Sequence, residues 1–592
     1  MKFFLSILTV FAMGLPGARA QTTYPLDNLE PGQAGYAVTA GAGNVLERFP
    51  IEILALQYDV GTGFPLVLVR ASGDFIERSG GIAAGMSGSP VYLPLNGEDA
   101  LLGAIGFTFP NSEVGLGLVT PIETMRRAKP GAQAEASSDF PKPFGTSLDL
   151  ADAVPVRTPL LMAGLSERAT RPLQDLFVGG QTSLLPVQSG GSWTEQGEQD
   201  AAYSLEPGSA VSVQLVRGDI TIGAVGTVTL IEDGKLWAFG HPLSGQGGVS
   251  LALAPAYVSY IVPSKDVPFK LADNGKRILG AITQDRPYAI SGLVGEQPDF
   301  IPVTLTLNGD AGSVTKRFEI TSDERFYAPL LAAASVQAFD EVLEQVSQGT
   351  ADLAWEIRLA GGETVRLLEQ ISDPADIAAA SAGLAAQPLE ILAQNAFEEP
   401  NIERVNLTIS YEMKERYADI VEVVREGEDD VVPGEVVTAY VRLQPYRAEP
   451  EVKTLRIPLP DELSGPLDLT LRGGLEPSEA TGDGEPLLSF DELLEVLRQN
   501  DPSSDLIVEA YIDDELRELS RLSLPYPVRG SEILTVEVAG ADGEASGGES
   551  GGADSGMEGE GEPSDEEVEP PVEDEPPIEP DPFPDEPDDD IR

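Results

Sequence analysis

Ser87 and His241 are the two residues on which nucleophilic chemistry in this chain would rest. Ser87 lies in Gly80-Gly81-Ile82-Ala83-Ala84-Gly85-Met86-Ser87-Gly88-Ser89-Pro90, ahead of the apolar Val91-Tyr92-Leu93. Gly85 and Gly88 allow backbone angles closed to other residues, so N–H groups can converge beside the Ser87 hydroxyl. A nucleophile beside main-chain donors is what acyl transfer needs. The same composition also describes a plain Gly/Ser turn between two strands. The sequence holds a single histidine, so any imidazole step falls to His241. It sits in Leu236-Trp237-Ala238-Phe239-Gly240-His241-Pro242-Leu243, where the flanking glycine and proline predict a sharply fixed backbone. A lone histidine can equally be an ordinary structural residue.

Composition removes other chemistries. The chain has no cysteine, which excludes thiol nucleophiles, disulfides and Cys-ligated metal. One histidine excludes a centre with several His ligands, and no Asp-x-Asp-x-Asp-Gly loop of the calcium type occurs, so no cofactor or metal is expected. The formal net charge of −59 argues against nucleic acid and against anionic lipid as partners, because both are held by Lys and Arg.

The first residues read as an export signal. Lys2 supplies a basic start, Phe3 to Leu15 an apolar run, and Ala18-Arg19-Ala20 a small-x-small cleavage site before Gln21. The run is shorter than the roughly 20 residues a membrane span needs, and no later segment is long and apolar enough. No cysteine follows the cleavage site, which excludes a lipoprotein anchor. The expectation is a bacterial protein exported to the periplasm, cell envelope or extracellular space, with no transmembrane anchor.

At 592 residues the chain exceeds one core, and Gly 62 and Pro 48 point to a turn-rich, mainly β fold. After the signal over 1–20, short apolar runs bounded by Gly or Pro predict a strand block over 24–130 that carries Ser87. Residues 131–205 read as linker and insertion, with Leu160 to Phe177 expected to hold a helix. A second strand block over 206–315 carries His241. An α+β region spans 316–400, where Ser372-Asp373-Pro374 is expected to open a helix that Gly383 and Pro388 interrupt. Period-two strands over 401–539, starting with Val405 to Tyr411, predict an immunoglobulin-like sandwich. Within that block Ser489-Phe490-Asp491-Glu492 is a capping box ahead of a helix with Leu493, Leu494 and Leu497 on one face. Residues 540–592 are Gly, Pro, Asp and Glu, a composition that predicts a disordered acidic tail.

Several of these stretches together resemble the SpoIVB-type serine peptidases. Gly80-Gly81-Ile82 running into Gly85-Met86-Ser87-Gly88-Ser89-Pro90 is similar to that family's nucleophile motif. Phe49-Pro50-Ile51-Glu52-Ile53, Gly223-Ala224-Val225-Gly226-Thr227-Val228-Thr229 leading to Phe239-Gly240-His241, and Gly280-Ala281-Ile282-Thr283-Gln284-Asp285-Arg286-Pro287 resemble further blocks. They span most of 30–125 and 209–305. Two departures stand out: the serine block precedes the histidine block here, and Gly106-Phe107 replaces a Thr-His pair. The reversed order is what a circular permutation would give.

The resemblance implies a permuted chymotrypsin-like double β-barrel with a site between the barrels. It implies Ser87 as nucleophile, His241 as general base, and the N–H groups of Gly85 and Ser87 as oxyanion hole. Asp74 is the implied acid, with Asp219 as runner-up, and Ser89 supports the turn. The implied activity is that of an exported serine endopeptidase acting on a protein or peptide, with the chain itself among the candidate substrates. The alternative is a non-catalytic cell-envelope interaction protein that keeps the scaffold.

Overall fold

The apolar runs around Ser87 alternate with turns and close on themselves. The computed structural model describes residues 21–539 apart from 59–62, 110–114, 132–152, 174–183, 190–201, 428–429, 477, 479–487, 500 and 514. The expected export signal (1–20) and acidic tail (540–592), and much of the expected linkers, lie outside the described residues. In the first block β1 (Ala34–Ala42), β2 (Val45–Tyr58), β3 (Pro65–Ala71), β4 (Pro90–Leu95), β5 (Glu98–Thr108) and β6 (Leu116–Pro121) form a sheet ordered β4-β1-β2-β3-β6-β5. Pairing of β4 with β5, from Pro90↔Ala104 to Leu95↔Glu98, closes it into a six-stranded barrel. Phe49, Ile53, Val67, Val91, Leu93 and Ile105 belong to its core.

Two short segments then lead across to the second barrel. β7 (Val154–Pro155) pairs with the far end of β5, and β8 (Thr158–Ala163) pairs with the next barrel. Over 160–173, the described part of the helix expected from Leu160 to Phe177, no α-helix forms: Leu160 to Ala163 pair with Ala224 to Thr221, and a 3₁₀ turn follows over Arg168–Leu173. Sheet hydrogen bonding to a partner far along the chain overrides local preference here. β9 (Leu184–Gln188) runs parallel beside β8.

The second barrel consists of β10 (Ala210–Gly218), β11 (Thr221–Glu232), β12 (Lys235–Ala238), β13 (Gly247–Val262), β15 (Gly280–Arg286) and β16 (Ala289–Val294), with β14 (Phe269–Asn274) paired to the outer part of β13. The order is β10-β13-β15-β16-β12-β11, and β10–β11 pairing closes this second six-stranded barrel.

The sheet continues beyond the barrel through β17 (Phe300–Gly309), β18 (Gly312–Thr321), β19 (Gly349–Leu359), β20 (Thr364–Asp373) and β21 (Ile402–Glu412). The strand expected to begin the sandwich is β21, and it lies here instead, parallel to β17 and antiparallel to β19. Its alternating pattern fits any half-buried sheet, so it could not say which one. Helices Tyr327–Val342 and Ile377–Ala393 pack against this sheet and each other. The second starts at Asp376, whose side chain caps Ala379 N–H, and it runs through Gly383 and Pro388 without a break. Two four-stranded sheets within 418–538 share one core that includes Leu443, Ile457, Leu469 and Val508. The helix Phe490–Arg498 is capped as expected by Ser489, which accepts from Glu492 N–H, and buries Leu493, Leu494 and Leu497. No helix among the described residues is long and apolar enough to cross a membrane.

The Ser87 loop and β11 touch backbone to backbone. A Cβ on Gly88 (φ +92°) would stand 1.9 Å from the Thr227 carbonyl oxygen and 2.5 Å from Phe239 N. Gly88→Ala is therefore expected to lose about 3 kcal/mol or more in urea denaturation, through combined clash and positive-φ strain. Gly234→Ala, also at positive φ but with nothing within 4 Å of its Cβ, separates the two contributions and should lose clearly less.

Candidate active site

Helix Asp74–Ser79 delivers the chain to the Ser87 loop. It ends at Gly80 in the left-handed region (φ +77°), and Ser79 Oγ donates to the Gly81 carbonyl at 2.8 Å. The loop then runs along β14, where Ala84 N–H donates to Pro268 O and Lys270 N–H to Ala84 O. Ser89 Oγ donates to Met86 O at 2.6 Å, the turn-supporting role expected of it. Gly88 N–H donates to Ile105 O, and Thr227 N–H donates to Ser87 O at 2.8 Å. Thr227 and Thr229 hydroxyls donate to the carbonyls of Gly85 and Gly88. The Ser87 loop of one barrel is thus bonded to β11 of the other.

The His241 loop reaches the same place from the other side. Phe239 N–H donates to Thr227 O at 3.3 Å, so Thr227 is bonded to both loops. Phe239 is buried at φ 68°, in the left-handed region that a side chain disfavours, and its ring lies on Gly226, where a Cβ would come within 2.3 Å. The Gly240 carbonyl accepts from Thr120 Oγ1 at 2.6 Å and abuts Gly106 of β5. Gly106 is the extra residue of a bulge, between Ile105 and Phe107 in the β5–β6 register, and a Cβ there would stand 2.3 Å from Gly240 O. Asp285 holds the following turn. Fully buried, it accepts the N–H groups of Leu243, Ser244 and Gly245 and the Ser244 hydroxyl.

Ser87 Oγ and His241 Nε2 are both shut from water and unpaired. Ser87 and His241 are 0 % exposed, and neither Ser87 Oγ nor His241 Nε2 has a hydrogen-bond partner, so the two are not bonded to each other. His241 Nδ1 lies 2.7 Å from the Pro242 carbonyl oxygen. A carbonyl only accepts, so in the neutral ring Nδ1 carries the proton and Nε2 the lone pair. Burial pushes the imidazole pKa down to about 4, against smaller upward pulls from the Pro242 carbonyl, Asp285 and the Val156 carbonyl. The ring is therefore neutral at pH 7.

Neither expected carboxylate backs the imidazole. Asp74 is exposed at the first turn of its helix, and Nδ1 is already taken by a main-chain carbonyl. Asp219 is exposed at the tip of the β10–β11 hairpin, where it accepts from Arg317 N–H at 2.8 Å. The Gly85 N–H points at a peptide carbonyl, that of Arg157, at 3.0 Å. Among the described residues no group of three or more His, Asp or Glu side chains could hold a metal ion.

Comparison with protein-family models, curated proteins and solved structures finds no match. The site therefore rests on its own geometry.

One buried cation escaped sequence reading. Lys270 is fully buried, its stem packs on Gly85, and its Nζ donates to Thr39 Oγ1 at 2.7 Å. Burial pushes its pKa down to about 7. An isolated Lys in an alternating strand gives no signal that its ammonium faces inward.

The two depressed pKa values predict the pH dependence of stability. Between about pH 6.5 and 4 the unfolded chain protonates its histidine while the folded one does not, so stability falls as acid is added, by roughly 1.4 kcal/mol per pH unit from this group. His241→Gln should remove that part of the slope in urea denaturation. Between about pH 7 and 10.5 the unfolded chain alone keeps the Lys270 proton, so this group makes stability rise with pH, and Lys270→Met should flatten that rise.

Proposed function

We propose that the protein is a serine endopeptidase of the SpoIVB type, exported to the periplasm, cell envelope or extracellular space, with its peptidase barrels in permuted order. The carrying observation is that a peptide carbonyl, that of Arg157, sits on the Gly85 N–H while Ser87 Oγ and the Nε2 lone pair stand unpaired nearby in the fold. In this reading Ser87 Oγ attacks a substrate carbonyl held by Gly85 N–H, and its proton passes to His241 Nε2. Collapse breaks the C–N bond as His241 returns the proton to the leaving amine, and water then releases the acyl group from Ser87. The Pro242 carbonyl keeps Nδ1 as the donor, the orienting role that a carboxylate was expected to fill. Ser87 and His241 must close to hydrogen-bond distance when substrate binds, as catalytic pairs do in the Michaelis complex. The two C-terminal sheets are assigned as an immunoglobulin-like accessory domain.

A second reading is favoured by the complete burial of both side chains. It makes the chain a non-catalytic envelope interaction protein that keeps the scaffold. A fluorophosphonate probe decides between them. The peptidase reading predicts one adduct, on the peptide containing Ser87, absent from Ser87→Ala and reduced at least about 100-fold in rate in His241→Ala. Asp74→Asn and Asp219→Asn should label within about twofold of the unaltered protein, because a carbonyl orients the imidazole. Labelling that persists in Ser87→Ala, or none in any form that keeps Ser87, would leave the interaction reading.

A further inference from the structure

The edge of β5 beyond the Ser87 loop carries a short stretch of foreign strand. Along that edge Ala104 pairs with Pro90, Ile105 bonds to Gly88 and Ser89, and then the partner changes. Gly106 O accepts from Val156 N–H at 2.9 Å, Phe107 pairs with Pro155, and Thr108 with Val154. The segment lies antiparallel to β5 and ends with the Arg157 carbonyl on Gly85 N–H at 3.0 Å. Val156 is 1 % exposed and part of the first barrel's core, while Val154 and Arg157 face solvent, so one side chain of the segment is inserted. The Val156 carbonyl is among the groups that pull the His241 pKa upward, after the Pro242 carbonyl and Asp285. Two paired residues, two further main-chain bonds and one aliphatic side chain hold it.

We infer that the Gly106–Thr108 edge of β5 is a peptide-binding groove for an extended strand bearing a small branched aliphatic residue, occupied here in cis by Val154–Arg157. Main-chain bonds to β5 supply affinity that is indifferent to sequence, and the apolar pocket of Val156 supplies the selection. A carbonyl one residue after that aliphatic side chain is delivered to Gly85 N–H, beside Ser87. Val154 and Arg157 face water, and those positions are left unselected. The inference rests on the peptidase reading for what happens to the bound peptide, but not for the binding. It also accounts for the complete burial of Ser87 and His241: the groove is filled.

Binding is read in the full chain carrying Ser87→Ala, by fluorescence anisotropy with a fluorescein-labelled peptide copying Ala153 to Thr158. Held at the high effective concentration of a tethered segment, the resident strand should keep the free peptide out. Val156→Asp, which puts a charge in the apolar pocket, should raise the peptide's affinity at least about 100-fold. Val156→Ala, which trims the anchor and keeps the main-chain bonds, should raise it about tenfold and carries the test if the Asp variant does not fold. A peptide with Asp at its Val156 position should bind at least about tenfold more weakly to either variant. A folded Val156→Ala protein that binds neither peptide, or both equally, overturns the groove. Fluorophosphonate labelling of the same variants with Ser87 intact keeps the two readings apart. Peptide binding without labelling upholds the groove and sinks the peptidase. Faster labelling without peptide binding sinks the groove and leaves the peptidase standing.

Discussion

The two barrels approach so closely across Thr227 that there is no room for a Cβ between them, and the site inherits its shape from that contact. Thr227 donates its N–H to Ser87 O, its hydroxyl to Gly85 O, and accepts from Phe239 N–H. One residue of β11 thereby bonds both the Ser87 loop and the His241 loop. Gly88, Gly106 and Gly226 each stand where an added carbon would meet a backbone or ring atom within 2.5 Å. These glycines are required by proximity as much as by angle. Only Gly88 is also at positive φ, and Phe239, which is not a glycine, is held there by the walls around it.

That contact also dries the site, and dryness sets its electrostatics. Lys270 and His241 both sit in the barrel interface with pKa values depressed by burial, so both lean toward their neutral forms. The one carboxylate fully buried there among the described residues, Asp285, has its oxygens committed to three main-chain N–H groups and the Ser244 hydroxyl. It fixes the turn after His241 instead of meeting the ring. A buried carboxylate with four donors is a stable arrangement, and it leaves the imidazole to be oriented by the nearest main-chain acceptor, Pro242 O.

Much of this was legible in the residues. Apolar runs bounded by Gly and Pro marked out two strand-rich blocks, each of which holds a barrel, and the glycine spacing singled out the Ser87 loop. What failed is what depends on distant partners. Leu160 to Ala163 became a strand because Thr221 to Ala224 offered a sheet edge. Val405 to Tyr411 had the right periodicity and the wrong sheet. Val154 to Arg157 read as linker, because four residues carry no period and their meaning lies in the edge of β5. The resemblance implies Asp74 or Asp219 as the acid, whereas the group that holds Nδ1 is a backbone carbonyl that no side-chain pattern can reveal.

Burial bears on whether the pair is structural or reactive. A serine hydroxyl and an imidazole nitrogen, each shut from water without a partner, cost about 1–3 kcal/mol apiece relative to satisfied groups. Phe239 at positive φ adds about 1–3 kcal/mol more. An alanine at 87 would make the same turn, since the Gly88 approach and the Ser87 carbonyl bond use only the backbone. The hydroxyl therefore gives the closed form nothing in return. The expense makes sense if the closed form is one of two states. On the peptidase reading, a longer peptide that displaced the Val154–Arg157 strand would place its carbonyl on the same Gly85 N–H and give the hydroxyl and Nε2 the partners they lack here.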